Sequence, residues 1–77
     1  MNNVTIYTKD ECSFCYYARK ILDANNIDYT EYHLGLDFTR DDIKEKFPTQ
    51  TTYPIILVDN ELIGGYIDLV EYMRELK

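Results

Sequence analysis

Val4 to Thr8 gathers β-branched and aromatic side chains and predicts a strand. From Ser13 to about Asn25 the period changes. Cys15, Ala18 and Leu22 recur at helical spacing with Ile21 beside them, while Arg19, Lys20 and Asp23 fall elsewhere and can face water. Asn25-Asn26 supplies a C-cap, because Asn tolerates the left-handed conformation, and Ile27 follows as the usual apolar contact. Asp28 to Leu34 reads as a second strand. A strand–helix–strand unit of this length implies parallel pairing through a right-handed crossover.

After Gly35, Thr39 with Asp42 three residues on resembles a capping box and starts a short second helix. Ile43 and Phe47 are its i, i+4 apolar pair, and Pro48 ends it. Ile55 to Val58 is a compact apolar strand. Asp59-Asn60 turns the chain into Leu62-Ile63, an antiparallel hairpin, and Gly64-Gly65 breaks it. Asp68 with Glu71 forms a second pair like a capping box, and Leu69, Tyr72, Met73 and Leu76 recur at helical spacing. Arg74 and Lys77 fall in the last turn, where cations suit the helix dipole. The expected order is β-α-β-α-β-β-α.

The chain has 77 residues, with no internal repeat, linker or low-complexity stretch, and reads as one domain over 1–77. A domain this small buries only about 60% of its unfolded surface, so each core position matters. A formal net charge of -6 argues against nucleic acid, which attracts clustered Lys and Arg. Nothing at the N-terminus resembles a signal peptide, and no apolar run approaches the roughly 20 residues of a membrane span. A cytoplasmic, reducing setting is the expectation. Eight tyrosines suit a small aromatic-rich core.

The two cysteines stand at 12 and 15, so a bond between them closes too small a loop to brace the fold. In a reducing compartment such a pair is catalytic or metal-binding. Cys12-Ser13-Phe14-Cys15 follows a strand and opens a helix, so the two sulfurs share a face within disulfide reach. Cys12 lies at the helix N-terminus, where free N–H groups and the dipole favour a thiolate; such thiols drop from about 8.5 into the range of roughly 3.5–7.5. Cys15 lies one turn inside on the apolar face. Cys12 therefore attacks and Cys15 resolves. Lys9 supports the thiolate; Asp10 and Glu11, directly before it, oppose it. A structural zinc site takes four Cys or His ligands, and His33 is the one further candidate. On a strand, His33 reads as an ordinary surface residue. No metal site is expected within one chain.

With these residues in place, the sequence resembles the glutaredoxin family over nearly its whole length. Three motifs carry the likeness: Lys9 shortly before Cys12-Ser13-Phe14-Cys15, Thr52-Tyr53-Pro54 where the family has Thr-Val-Pro with a cis proline, and Gly64-Gly65-Tyr66-Ile67-Asp68 where it has Gly-Gly, two variable residues and Asp. Taken singly, Pro54 is a strand-start proline, Gly64-Gly65 a loop needing positive φ, and Asp68 a helix N-cap. The resemblance implies a thioredoxin-like α/β fold, a four-stranded mixed sheet of order 2-1-3-4 with three flanking helices.

It also implies glutathione as reductant and a binding site for it. Lys9 and Gln50 match positions that hold the glycyl carboxylate, although many relatives have Arg where Gln50 stands. Tyr53, before Pro54, would meet the cysteinyl part through its backbone. At the close-approach Gly64-Gly65 turn, backbone N–H groups of Tyr66 and Ile67 would receive the γ-glutamyl carboxylate, and Asp68 the ammonium. Ser13 replaces the usual Pro, and Phe14 replaces Tyr but keeps the aromatic wall. Some members with Ser at that place hold an iron–sulfur cluster between two subunits, with glutathione as co-ligand; Cys12 would be the ligand here. Otherwise a monomer is implied, reducing protein disulfides and glutathione mixed disulfides, with ribonucleotide reductase as a client and glutathione reductase upstream. A donor of similar fold served by thioredoxin reductase is the nearest rival.

Overall fold

The computed structural model describes residues 3–75. Its elements are β1 (Val4–Thr8), α1 (Ser13–Ala24), β2 (Tyr29–His33), α2 (Arg40–Lys46), β3 (Ile55–Val58), β4 (Glu61–Gly64) and α3 (Tyr66–Glu75), in the expected order. The strands form one sheet, β2-β1-β3-β4. β1 runs parallel to β2, with Val4 opposite Tyr29, and antiparallel to β3, with Val4 opposite Val58. β3 and β4 form the antiparallel hairpin. This is the thioredoxin-like mixed sheet of order 2-1-3-4.

Alternation along the central strands divides the core. Val4 and Ile6 of β1 with Ile56 and Val58 of β3 pack against Ala18 and Leu22 of α1 and Leu69 of α3. Tyr7, Ile55 and Leu57 point the other way and pack against Ile43 of α2 and Phe47 at its C-cap. Burial on both faces explains why β3 is an unbroken apolar run, whereas the edge strand β2 alternates half-buried with exposed positions. Only Tyr7 among the tyrosines is buried in the core; Tyr16, Tyr17 and Tyr32 are exposed. The hydroxyl is costly to bury unpaired, so Tyr29, Tyr53, Tyr66 and Tyr72 pack half-buried against cores that hold Tyr7 and Phe47.

The element ends follow local chemistry. Asn25 caps α1 and Asn26 takes the left-handed conformation at φ 56°. Ile27 N–H donates to Leu22 O at 2.9 Å and Asn26 N–H to Asp23 O at 3.1 Å, completing a Schellman motif. Thr39 and Asp42 form the full capping box of α2. Asp59 and Asn60 both have positive φ, as a two-residue type I′ hairpin turn requires. β2 is one residue shorter at each end than expected. Leu76 and Lys77 lie outside the described residues.

One boundary differs in a way that matters for the site. Asp68 does not cap α3 and makes no box with Glu71. The helix already starts at Tyr66, so Asp68 sits inside the first turn and its carboxylate accepts Gly65 N–H at 2.9 Å. Gly65 O in turn accepts Leu69 N–H at 3.0 Å. A carboxylate that reaches back three residues to the cap looks, in sequence, much like a cap itself.

Candidate active site

β1 delivers the chain to the redox turn at the end of the sheet. Glu11 takes φ 54°, the left-handed region that a residue with a Cβ enters at a cost, and the chain then swings into α1. Cys12 is the N-cap, with extended backbone, and its Sγ accepts Cys15 N–H at 3.2 Å. Sulfur thus occupies the place of a capping oxygen, facing the free donors of the first turn. Cys12 and Cys15 are joined as a disulfide with Cα atoms 5.2 Å apart. Cys15 is fully buried and Cys12 half-buried, the asymmetry their spacing implies.

Beside them lies a groove of about 260 Å³ between the redox turn, the loop before β3 and the start of α3, lined by Phe14, Gln50, Thr52, Tyr53, Gly65, Tyr66, Ile67 and Asp68. Seven of these are the glutathione contacts implied by the resemblance. Thr52 is the addition, and its one sequence signal is its place beside Tyr53 before Pro54. Pro54 is fully buried behind the groove, and the Tyr53–Pro54 bond is cis. Lys9 reaches the same wall from the other side, its Nζ 5.7 Å from the centroid of the Tyr53 ring. Phe14 stacks on Tyr66 at 5.5 Å, closing the lip between α1 and α3.

The glycine turn is shaped by space. Gly64 has φ 120°, and a Cβ there would collide with the Asp68 carboxylate. A Cβ on Gly65 would come within 3.4 Å of Pro54 O. The positive φ of Gly64 is what this turn requires of a glycine, while a Cβ at Gly65 would make only an ordinary contact.

His33 is not an ordinary surface residue. Its ring is half-buried, with Nε2 2.8 Å from Asp10 Oδ1 and Nδ1 3.0 Å from Thr8 Oγ1. Thr8, fully buried, donates to Glu31 Oε2 at 2.7 Å, and Arg19 pairs with the same oxygen at 3.3 Å. Asp10 of the redox turn is thereby tied to β2. Among the described residues no group of three or more His, Cys, Asp or Glu side chains could hold a metal ion.

A disulfide closed across the first turn of a helix, at the end of a four-stranded 2-1-3-4 sheet, defines a thiol–disulfide redox protein of thioredoxin-like fold. The glutaredoxin family model matches residues 4–63. Glutaredoxin 3 of Escherichia coli (strain K12) is 33% identical over 69 residues, spanning 90% of this chain and 83% of the relative. Glutaredoxin 1 from Francisella tularensis, solved in complex with cacodylate, superposes with a TM-score of 0.79 at 27% identity, covering 96% of this chain and 94% of that one. The buckwheat glutaredoxin–glutathione complex shares the fold, with a TM-score of 0.82 at 23% identity over 96% and 70% of the two chains. The chain belongs to the glutaredoxin family of thiol–disulfide oxidoreductases.

Proposed function

We propose that the chain is a glutathione-dependent reductase of protein disulfides and glutathione mixed disulfides. The observation that carries this reading is Cys12 Sγ at the α1 N-cap, receiving Cys15 N–H beside a groove lined by Phe14, Gln50, Tyr53 and the Gly65–Asp68 turn. In the reduced protein the same donor and the helix dipole favour the Cys12 thiolate. That thiolate attacks one sulfur of a client disulfide, forming a mixed disulfide and expelling the client's other sulfur as thiolate. Cys15 then attacks Cys12 Sγ, releases the client's second thiol and leaves the Cys12–Cys15 disulfide. Two glutathione molecules return it to the dithiol and leave as glutathione disulfide, so each cycle moves two electrons.

In the groove, Lys9 and Gln50 suit the glycyl carboxylate, and the backbone of Tyr53 the cysteinyl amide. The first N–H groups of α3, at Tyr66 and Ile67, suit the γ-glutamyl carboxylate. Asp68 already accepts from Gly65 N–H and has a second oxygen for the ligand's ammonium. The buckwheat relative, of the same fold, is a complex with glutathione. A single domain over 1–77, acting as a monomer in the cytoplasm with ribonucleotide reductase among its clients, belongs to this proposal. No specific observation favours the iron–sulfur dimer.

The test couples oxidised protein to NADPH through glutathione and glutathione reductase, and separately through thioredoxin reductase. NADPH loss with the first system is expected. Cys12→Ser should abolish all exchange. Cys15→Ser should keep exchange on small glutathione mixed disulfides and lose reduction of protein disulfides that require resolution. Electrons accepted from thioredoxin reductase alone would overturn glutathione dependence. Equal inactivity of both variants on glutathione mixed disulfides would overturn the division of labour.

A further inference from the structure

The polar chain behind the redox turn takes no part in the exchange steps above, yet it ends two residues before the nucleophile. It contains three hydrogen-bonding contacts: Thr8 to Glu31, Thr8 to His33 Nδ1, and His33 Nε2 to Asp10. A hydroxyl carries one proton, a neutral imidazole carries one N–H, and ionised carboxylates carry none. Two protons cannot make three hydrogen bonds. A protonated ring supplies the third, donating from Nδ1 to Thr8 and from Nε2 to Asp10. Charged groups face the ring from several elements. Asp10 faces the ring from the redox turn, Glu31 through Thr8 from β2, and Asp37 accepts His33's own backbone N–H at 2.8 Å. Against these carboxylates stands Arg19 of α1, spent on Glu31. Lys9, Glu11 and Arg40 line the cavity on the far side of Asp10.

We infer that His33 is a positioning residue for Cys12: as an imidazolium it holds and neutralises the Asp10 carboxylate, and on losing its proton it leaves that charge acting on the redox turn. The inference rests on Cys12 being the nucleophile. When the ring is neutral, Nε2–H still reaches Asp10, while the Thr8 proton turns from Glu31 to Nδ1. Geometry is kept and charge is lost. An uncompensated carboxylate two residues before Cys12 disfavours its thiolate. The thiolate is therefore favoured on the acidic side, where His33 is charged, and its formation is stretched over a wider pH range than one group alone would give. The Asp10 side chain is 91% exposed, so water and salt limit the effect.

His33 is the only histidine in the chain, so its ring signals are unambiguous by NMR. In a Cys15→Ser background, a single thiol reports by alkylation followed across pH at low salt. The expected curve has a minor inflection at the pH where the His33 ring titrates. His33→Gln should remove it and slow alkylation at about pH 5.5 by about threefold, equivalent to half a pH unit. Asp10→Asn, which keeps the shape of the side chain and removes its charge, should also remove the inflection while speeding alkylation. Adding His33→Gln to Asp10→Asn should then change little. An unchanged alkylation curve in both single variants overturns the inference while leaving Cys12 as nucleophile. A Cys12 thiol that alkylates no faster than a free cysteine overturns the nucleophile assignment instead.

Discussion

Tyr29 opens β2 half-buried against the α1–α3 side of the core. Burial is the main cause that pushes its hydroxyl above the ordinary value of 10.0; Asp23 and Glu31 add to it, and Arg19 opposes. The raised group keeps its proton in the folded chain after the unfolded chain has lost it. Its contribution is thus fully present below about pH 10 and is lost as pH rises through the folded value. Tyr29→Phe should flatten the alkaline loss of stability. Urea unfolding at about pH 9 and about pH 11 checks this; an equal loss in both proteins contradicts it. His33 shows where residue-level reading stops. Its partners Thr8 and Asp10 are more than twenty positions away, so its role depends on strand pairing rather than on any local pattern. Cys12 and Cys15 were legible because the chemistry of each is set by its place on one helix turn.

Among the elements, α2 depends most on its ends. It has seven residues and buries Ile43, so few hydrogen bonds support it from within. Thr39 Oγ1 accepts Asp42 N–H at 3.2 Å and Asp42 returns a carboxylate to Thr39 N–H at 2.9 Å. Thr39→Ala should cost about 1 kcal/mol in urea unfolding. Retained stability would mean that packing of Ile43 and Phe47 alone holds the helix. This box, the Asn26 motif and the Asp59-Asn60 turn could all be read from sequence, because each uses residues within a few positions whose side chains suit one backbone shape. The start of α3 could not. Two glycines offer no side-chain signal there, and Asp68 serves the cap from inside the helix. The groove was legible residue by residue through the three motifs, but what gathers them is the sheet.

At the scale of the molecule, the sheet separates two cores. Leu22 is fully buried on the α1–α3 side, and Ile43, on α2, is buried on the other. Leu22→Ala should cost about 2–5 kcal/mol and Ile43→Val about 0.5–1.5 kcal/mol, from lost contacts and the cavity left behind. With the sheet between them the two sites share no cluster, so the double variant should lose the sum to within about 0.5 kcal/mol. A larger departure in urea unfolding would show that strain crosses the strands. The pairing of β1 has a further consequence for the chain as it is made. β1 is synthesised before its antiparallel partner β3, which follows about fifty residues later, with Val4 opposite Val58. At about 5–20 residues per second, that delay is about 3–10 s. Until then β2 is the one strand paired with β1, whose other edge stays open. Nascent β1, open along that edge, gives a ribosome-bound chaperone reason to cover it.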